Sequence, residues 1–275
     1  MKAGNSLEVD NLDIAYSRSG KGETVVLIHG ITTSSFIWRN IIPKLDQEYD
    51  VIAVDLLGCG ASTTDLHADY SIRNQADLMI GMLKKLAINK AHIVGHDIGG
   101  GIAQIIAVKY SEFVHDLVLI NTVGYNYWPV QPITAMRTPI FRQFAMMSLD
   151  IGILQKLIKR GLYYKDRISD EFKSLVWKEM GDKKRRKSFL HFAKCLNNQH
   201  LMDIAENLKE IKFPVLIIRG DGDLYLNSII SQKLQEDIPN SLLFKVKTGG
   251  HYIQEDEPDL ISESLLNFYK KNSEV

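Results

Sequence analysis

Short apolar runs rich in β-branched residues recur along the chain: "TVVLIHG", "DVIAVDLLG", "AHIVGHD", "LVLINTV", "PVLIIRGD" and "LLFKVK". They are continuous where a half-exposed strand would alternate, which predicts a sheet buried on both faces. Between most of them the apolar positions switch to helical spacing. "SIRNQADLMIGMLKKLAI" predicts a helix capped by Ser71, "GGGIAQIIAVKY" predicts another, and "DLISESLLNFYKK" predicts a third beginning after Pro258. Alternating strands and helices make an α/β fold with a mainly parallel sheet and helices on both faces. The first two segments, "SLEVD" and "LDIAYSRSG", are separated by a short turn and predict a hairpin at one edge.

One connection breaks the rhythm. After the sixth strand, "LVLINTV", about 90 residues pass before "FPVLIIRGD", far more than a loop plus one helix. The insertion carries helical patterns such as "PIFRQFAMMSLDIGILQKLI" and "DEFKSLVWKEM". The chain therefore divides into a core formed by residues 1–124 and 209–275 and a helical cap, 125–208, lying over the C-terminal edge of the sheet. The basic run Lys183–Lys187 reads as a solvated helix face.

Composition narrows the partners. With 275 residues, 45% of them hydrophobic, the chain can bury a large core. Thirty-three basic residues balance 33 acidic ones, so no global charge attracts nucleic acid or an anionic membrane. Two distant cysteines, Cys59 and Cys195, make neither a disulfide framework nor a thiolate metal site. The N-terminus lacks the apolar core of a signal peptide, and no apolar run approaches a membrane span. A cytoplasmic enzyme acting on a small molecule, without metal or cofactor, is the expectation; the oligomeric state is open.

The chemistry concentrates at strand ends. "GHDIGG" places Asp97 between a strand and a helix, among glycines that permit a sharp turn. Such a turn lifts the side chain above the sheet edge and aims the Ile98 N–H and the helix's positive end at the same point. The plainer reading is a helix N-cap, a role aspartate fills well. Three further strand ends weigh against it. "VVLIHGITTSS" leads from His29 and Gly30 into a loop whose Ile31 N–H supplies a second donor. "LIIRGDGD" presents Asp221 and Asp223, and "VKTGGHY" presents His251. Open α/β sheets form their sites at this edge, and nucleophile, acid and histidine follow one another in that order along the chain.

These motifs, together with "DLLGCGAS" after the fourth strand, identify the chain as a member of the α/β-hydrolase superfamily. Within it, the aspartate in the elbow and "HGITTSSFIWRNIIPKL" resemble the aspartate-nucleophile branch, the haloalkane dehalogenases and epoxide hydrolases. The resemblance implies Asp97 as nucleophile, His251 as base, Asp223 as its acid partner, and the backbone N–H groups of Ile31 and Ile98 as an oxyanion hole. Asp55, with Gly58 and Gly60, is expected to be structural. Two positions depart from the dehalogenase pattern. Ile98 stands where dehalogenases usually carry tryptophan, and Ile31 where many carry asparagine, so two side-chain donors to a halide are missing. Replacements would come from the cap: Trp128 and Trp177 for a halide, or Tyr125, Tyr127, Tyr163 and Tyr164 for an epoxide oxygen.

An ionised carboxylate attacks an sp³ carbon without a base, which a serine hydroxyl cannot do. The expected product is an ester on Asp97, hydrolysed by water that His251 activates. The sequence thus predicts a cofactor-free hydrolase acting on a small apolar molecule with an epoxide or carbon–halogen bond. An ester or lactone hydrolase, or a lyase, using Asp97 as acid or base is the alternative enzyme. A ligand-binding receptor on a hydrolase scaffold is the alternative of another class, distinguished by binding without turnover.

Overall fold

The computed structural model describes residues 4–129, 133–134, 138, 153–166 and 168–273. Eight strands form one sheet: β1 (Asn5–Val9), β2 (Leu12–Ser19), β3 (Thr24–Ile28), β4 (Asp50–Val54), β5 (Ala91–Asp97), β6 (Val114–Thr122), β7 (Val215–Gly220) and β8 (Ser241–Val246). Their spatial order is β1-β2-β4-β3-β5-β6-β7-β8. The hairpin of β1 and β2 joins β4 antiparallel, and every pairing from β4 to β8 is parallel. Asp10 and Asn11 form the hairpin turn, both with positive φ (50° and 62°), a conformation these short polar residues tolerate.

The helices are α1 (Ile72–Lys85), α2 (Ile98–Lys109), α3 (Ile153–Arg160), α4 (Asp170–Gly181), α5 (Lys183–Cys195), α6 (Ile229–Asp237) and α7 (Pro258–Ser273), with shorter turns between them. Ser71 caps α1 by accepting from Asn74 N–H at 3.3 Å, and Pro258 opens α7, as the sequence predicts. Of the long pattern at 139–158, residues 139–152 lie outside the described residues, and the remainder forms the body of α3.

Every residue of β3, β4 and β5 is buried. The pleat sends alternate side chains to opposite faces. Val26, Ile28, Ile52 and Ile93 join one core cluster with the apolar faces of α1 and α2. Val25, Leu27, Val51 and Val94 join a second with Phe36, Trp38 and α7. Each such aliphatic side chain stabilises the fold by about 1.5–3 kcal/mol on full burial, which explains why these strands read as unbroken apolar runs.

Because β3 through β8 run parallel, their C-terminal ends share one edge. The chain leaves β3 toward β4 on one side and later returns as β5 on the other, so the order reverses between β3 and β5. That reversal opens a crevice at the strand ends. The insertion after β6 reaches the same edge. Tyr252 N–H donates to Gly161 O at 3.0 Å, Tyr225 OH to Leu157 O at 2.5 Å, and Ser188 OH to Gly58 O at 2.7 Å. Among the described residues no helix is long and apolar enough to cross a membrane.

Candidate active site

Asp97 ends β5 with φ 54° and ψ −120°, outside the regions an L-residue ordinarily occupies. The pairing of β5 with β6 slips by one residue between His96 and Asp97, which marks the elbow. Crowding requires the small neighbours. A Cβ on Gly99 would strike the carbonyls of Ile28 and His29, and one on Gly30 would sit 2.6 Å from Asp97 Cβ. Close approach of β3, β5 and α2 therefore depends on these glycines.

The N-cap reading of Asp97 does not hold: its side chain makes no capping hydrogen bond to α2. Its Oδ2 accepts instead from Ile31 N–H at 3.0 Å, and the nearby Ile98 N–H adds to the groups that favour its charge. Asp97 is buried. Burial pulls its pKa above the ordinary carboxylate value, against the opposing pull of His251 and the two N–H groups. The carboxylate is thereby more basic than a solvent-exposed one.

His251 follows β8. Its Nδ1 lies 3.1 Å from Asp223 Oδ2, in the loop after β7. Asp223 is the better provided of the two aspartates in that loop. It is buried, and Oδ2 also accepts from Arg219 Nη1 at 2.9 Å. Oδ1 accepts from Tyr225 N–H at 2.8 Å and Leu226 N–H at 3.2 Å. Burial alone would raise its pKa; His251, Arg219 and the N–H groups outweigh it and hold the carboxyl at about 2. His251 is pushed above its ordinary value: burial opposes the charge, but Asp223 and then Asp97 more than compensate. Asp221 is exposed. No direct hydrogen bond or ion pair joins Asp97 to His251 among the described residues, although each feels the other's charge.

Several supports were not legible as such in the sequence. Asn121, at the end of β6, donates from Nδ2 to Gly250 O (2.8 Å) and His251 O (3.0 Å) and accepts Gly220 N–H at Oδ1 (2.9 Å). It ties the histidine loop to β6 and β7. His96 Nε2 donates to His251 O at 2.9 Å. Its ring lies 4.9 Å from that of His251, and burial, reinforced by that neighbour, lowers its pKa to about 3, so it stays neutral. His29 accepts Leu56 N–H at Nε2 (3.0 Å) and donates from Nδ1 to Gly30 O (2.7 Å), clipping together the ends of β3 and β4. Asp55 accepts from Ser35 and Ala61 N–H, both at 2.8 Å, the loop-pinning role expected of it. Tyr225 and Tyr252 meet the His251 ring edge-on at 5.2 and 5.1 Å.

The aromatic candidates of the insertion divide. Trp128 is buried at 2% exposure, in one core cluster with Ile98, and its indole N–H has no partner among the described residues. Trp177 is 46% exposed and Tyr163 45%, and Tyr127 is also exposed, so none of the three is enclosed with Asp97 as a pocket residue would be. Trp177 lies one residue beyond the buried Phe172–Val176 ridge of α4 and so falls on the solvent side. Tyr125 is buried, but its hydroxyl donates to Asp237 on α6 at 2.8 Å. Tyr164 sits half-buried, its ring edge-on to Tyr163 at 5.0 Å, and its backbone N–H bonds Asp256.

A buried carboxylate on a strained strand-to-helix elbow, faced by a loop N–H and by a histidine–aspartate pair from later strands, is the arrangement of the α/β-hydrolase class. The comparisons agree. The profile of the α/β hydrolase fold family matches residues 23–152. An uncharacterized hydrolase of Bacillus subtilis, YugF, is 30% identical over 266 residues, covering 95% of this chain and 96% of that protein. The chain belongs to the α/β-hydrolase fold family. A Shewanella oneidensis protein named cis-3-alkyl-4-alkyloxetan-2-one decarboxylase is 28% identical over 276 residues, covering 92% of this chain and 84% of its own. A haloalkane dehalogenase loop variant from Bradyrhizobium elkanii superposes with a TM-score of 0.85 at 22% identity, covering 98% and 97% of the two chains, which is a likeness of fold.

Asp223→Ala would strip two buried cationic partners at once, and breaking such a pair costs about 3–5 kcal/mol. Asp223→Asn is the cleaner test of the site. It is expected to lower kcat by about 10²–10⁴-fold, because the amide no longer fixes the imidazole. Asp221→Asn should stay within about threefold, as surface substitutions do. Steady-state kinetics beside a thermal melt of each variant checks both; the reverse ranking would move the role to Asp221.

Proposed function

We propose that this α/β-hydrolase acts through a covalent ester on Asp97, formed by attack of its carboxylate on an sp³ carbon of a small apolar substrate. The supporting observation is the bond from Ile31 N–H to Asp97 itself. The carboxylate occupies the donor site that would receive the oxyanion when water later attacks its own ester. His251 serves as base for that water and Asp223 orients the imidazole. Residues 125–208 form the cap over the substrate.

The chemistry sets a pH dependence. Asp97 must be ionised to attack, so ester formation falls as pH drops through a value above 3.8. His251 must be neutral to accept a proton, so ester hydrolysis falls as pH drops through a value above that of free imidazole, 6.5. Esterification removes the Asp97 charge that helps keep His251 protonated, which eases its conversion to base within the intermediate. Rapid-quench kinetics of the two steps should show two separate acid limbs. A single shared limb would contradict the division of roles.

The leaving group favours a strained C–O bond over a halide. Ile98 is buried and Ile31 half-buried, and neither carries a side-chain N–H. A hydrogen bond to a charged group contributes about 1.5–3 kcal/mol. Two missing donors therefore forgo about 3–6 kcal/mol, roughly two to four decades in rate. Trp177 faces solvent, which leaves Trp128 as the buried cap indole. Simple bromoalkanes are expected to show kcat/KM below about 10⁴ M⁻¹s⁻¹, with matched epoxides above it. Halide release measured beside diol formation tests this; efficient bromide release would point to donors in the cap.

The relative named for an oxetanone favours a second substrate within the same reading, a β-lactone. Attack by Asp97 at the ring carbon bearing the ester oxygen forms the Asp97 ester and frees the lactone carboxylate. Loss of CO₂ then sends its electron pair into a carbon–carbon double bond and returns the carboxylate to Asp97. Water takes no part, so His251→Gln would keep this turnover and lose epoxide turnover.

A further inference from the structure

The nucleophile reading leaves one question open: which group protonates the oxygen that Asp97 displaces. The Ile31 N–H is engaged by Asp97, and a backbone amide such as that of Ile98 can hydrogen-bond but does not surrender its proton. Tyr125 is bonded to Asp237, Tyr225 donates to Leu157 O at 2.5 Å, and Tyr127 and Tyr163 face solvent. An indole such as that of Trp128 can hydrogen-bond but does not surrender its proton.

Tyr252 is differently placed. Its hydroxyl lies 3.2 Å from Thr32 Oγ1, and Thr32 directly follows Ile31, whose N–H holds Asp97. The ring is clamped between the histidine and the insertion: edge-on to His251 at 5.1 Å, edge-on to Phe172 of α4 at 5.5 Å, and 2.6 Å from where a Cβ on Gly161 would stand. Thr32 has φ 70°, an unusual conformation for a β-branched residue, while the neighbouring Thr33 hydroxyl bonds Gly30 O at 3.0 Å. Such strain persists where surroundings enforce it, and it clusters at functional sites. Here it turns the Thr32 hydroxyl toward a buried phenol packed against the His251 ring.

We propose that Tyr252 is the proton donor to the leaving oxygen, oriented by Thr32. As an Asp97 oxygen bonds the ring carbon, the carbon–oxygen bond breaks and its electron pair stays on oxygen, which takes the Tyr252 proton. The hydrolytic water then supplies two protons: one ends on the alcohol released from Asp97, and the other returns to the phenolate. Burial, with Asp97 and Asp223 adding to it, holds the phenol protonated at neutral pH, so the proton is present when attack begins. A ring-opened alkoxide is the stronger base and draws it away.

This assignment rests on the Asp97 nucleophile, and the test separates the two. In a His251→Gln background, where the ester accumulates, the rate of adduct formation on the Asp97 peptide is measured by mass spectrometry with styrene oxide and with benzyl bromide. The epoxide oxygen needs a proton and bromide does not. Adding Tyr252→Phe, which keeps the ring packing, should slow the epoxide reaction by about 10²-fold or more and leave the bromide reaction within about threefold. Equal slowing of both would make Tyr252 a packing residue, and no slowing of either would assign the proton to another group; both outcomes overturn the proposal. Absence of any Asp97 adduct with Tyr252 intact would overturn the nucleophile reading, and the donor assignment with it.

Discussion

Asp97→Asn is expected to lower kcat by at least about 10⁴-fold, the scale on which loss of a nucleophile is felt, while the thermal melt stays close to wild type. An amide oxygen can still accept the Ile31 N–H, so the elbow keeps its local bonding. Replacing a buried anion by a neutral group also removes a desolvation cost, since burial already pulls the Asp97 pKa upward. The variant should therefore fold well and fail chemically. Freshly purified protein, checked by mass spectrometry for deamidation back to aspartate, gives the comparison. Turnover near the wild-type rate would remove Asp97 from the reaction.

His251→Gln should have nearly as large an effect on epoxide turnover, about 10³–10⁴-fold, with a different signature. An ionised Asp97 attacks without help from the histidine, so the first half-reaction survives and the second stops. A substrate-sized mass increase should then accumulate on the peptide carrying Asp97, and the time course should shrink to a single burst. Loss of both half-reactions together would mean that His251 is needed before the ester forms.

How far the sequence carries these conclusions depends on which forces leave a mark in it. Burial of β3, β4 and β5 on both faces writes continuous apolar runs, so the parallel sheet and its helices were legible. The edge hairpin was legible from two strand segments separated by a short turn, which falls at Asp10 and Asn11. Position at a strand end is also legible, and it assigns Asp97, Asp223, His251 and the Ile31 loop to one edge. What a side chain does at that edge is not written in residue type. Asp97 could have capped α2; three-dimensional approach of the β3 loop gave it Ile31 N–H instead. Arg219, at the end of a buried strand, reads as an ordinary polar terminus until it closes on Asp223. Trp177 sits on an amphipathic helix, roughly 100° past a buried neighbour, and such a residue can turn either way; it turned outward. Tyr252 is not legible beside His251, because its hydroxyl contact is to Thr32, a residue 220 positions away in the chain.

The Asp97 ester is most directly tested by a single turnover of an epoxide in heavy-oxygen water. If water attacks the carbonyl of the Asp97 ester, the heavy oxygen enters the Asp97 carboxylate, and the first diol released carries an oxygen taken from the protein. Mass spectrometry of the Asp97 peptide should then show the label, and the first-turnover product should lack it. Label in the diol with none in Asp97 would mean that water attacks the substrate directly, and would contradict the covalent mechanism.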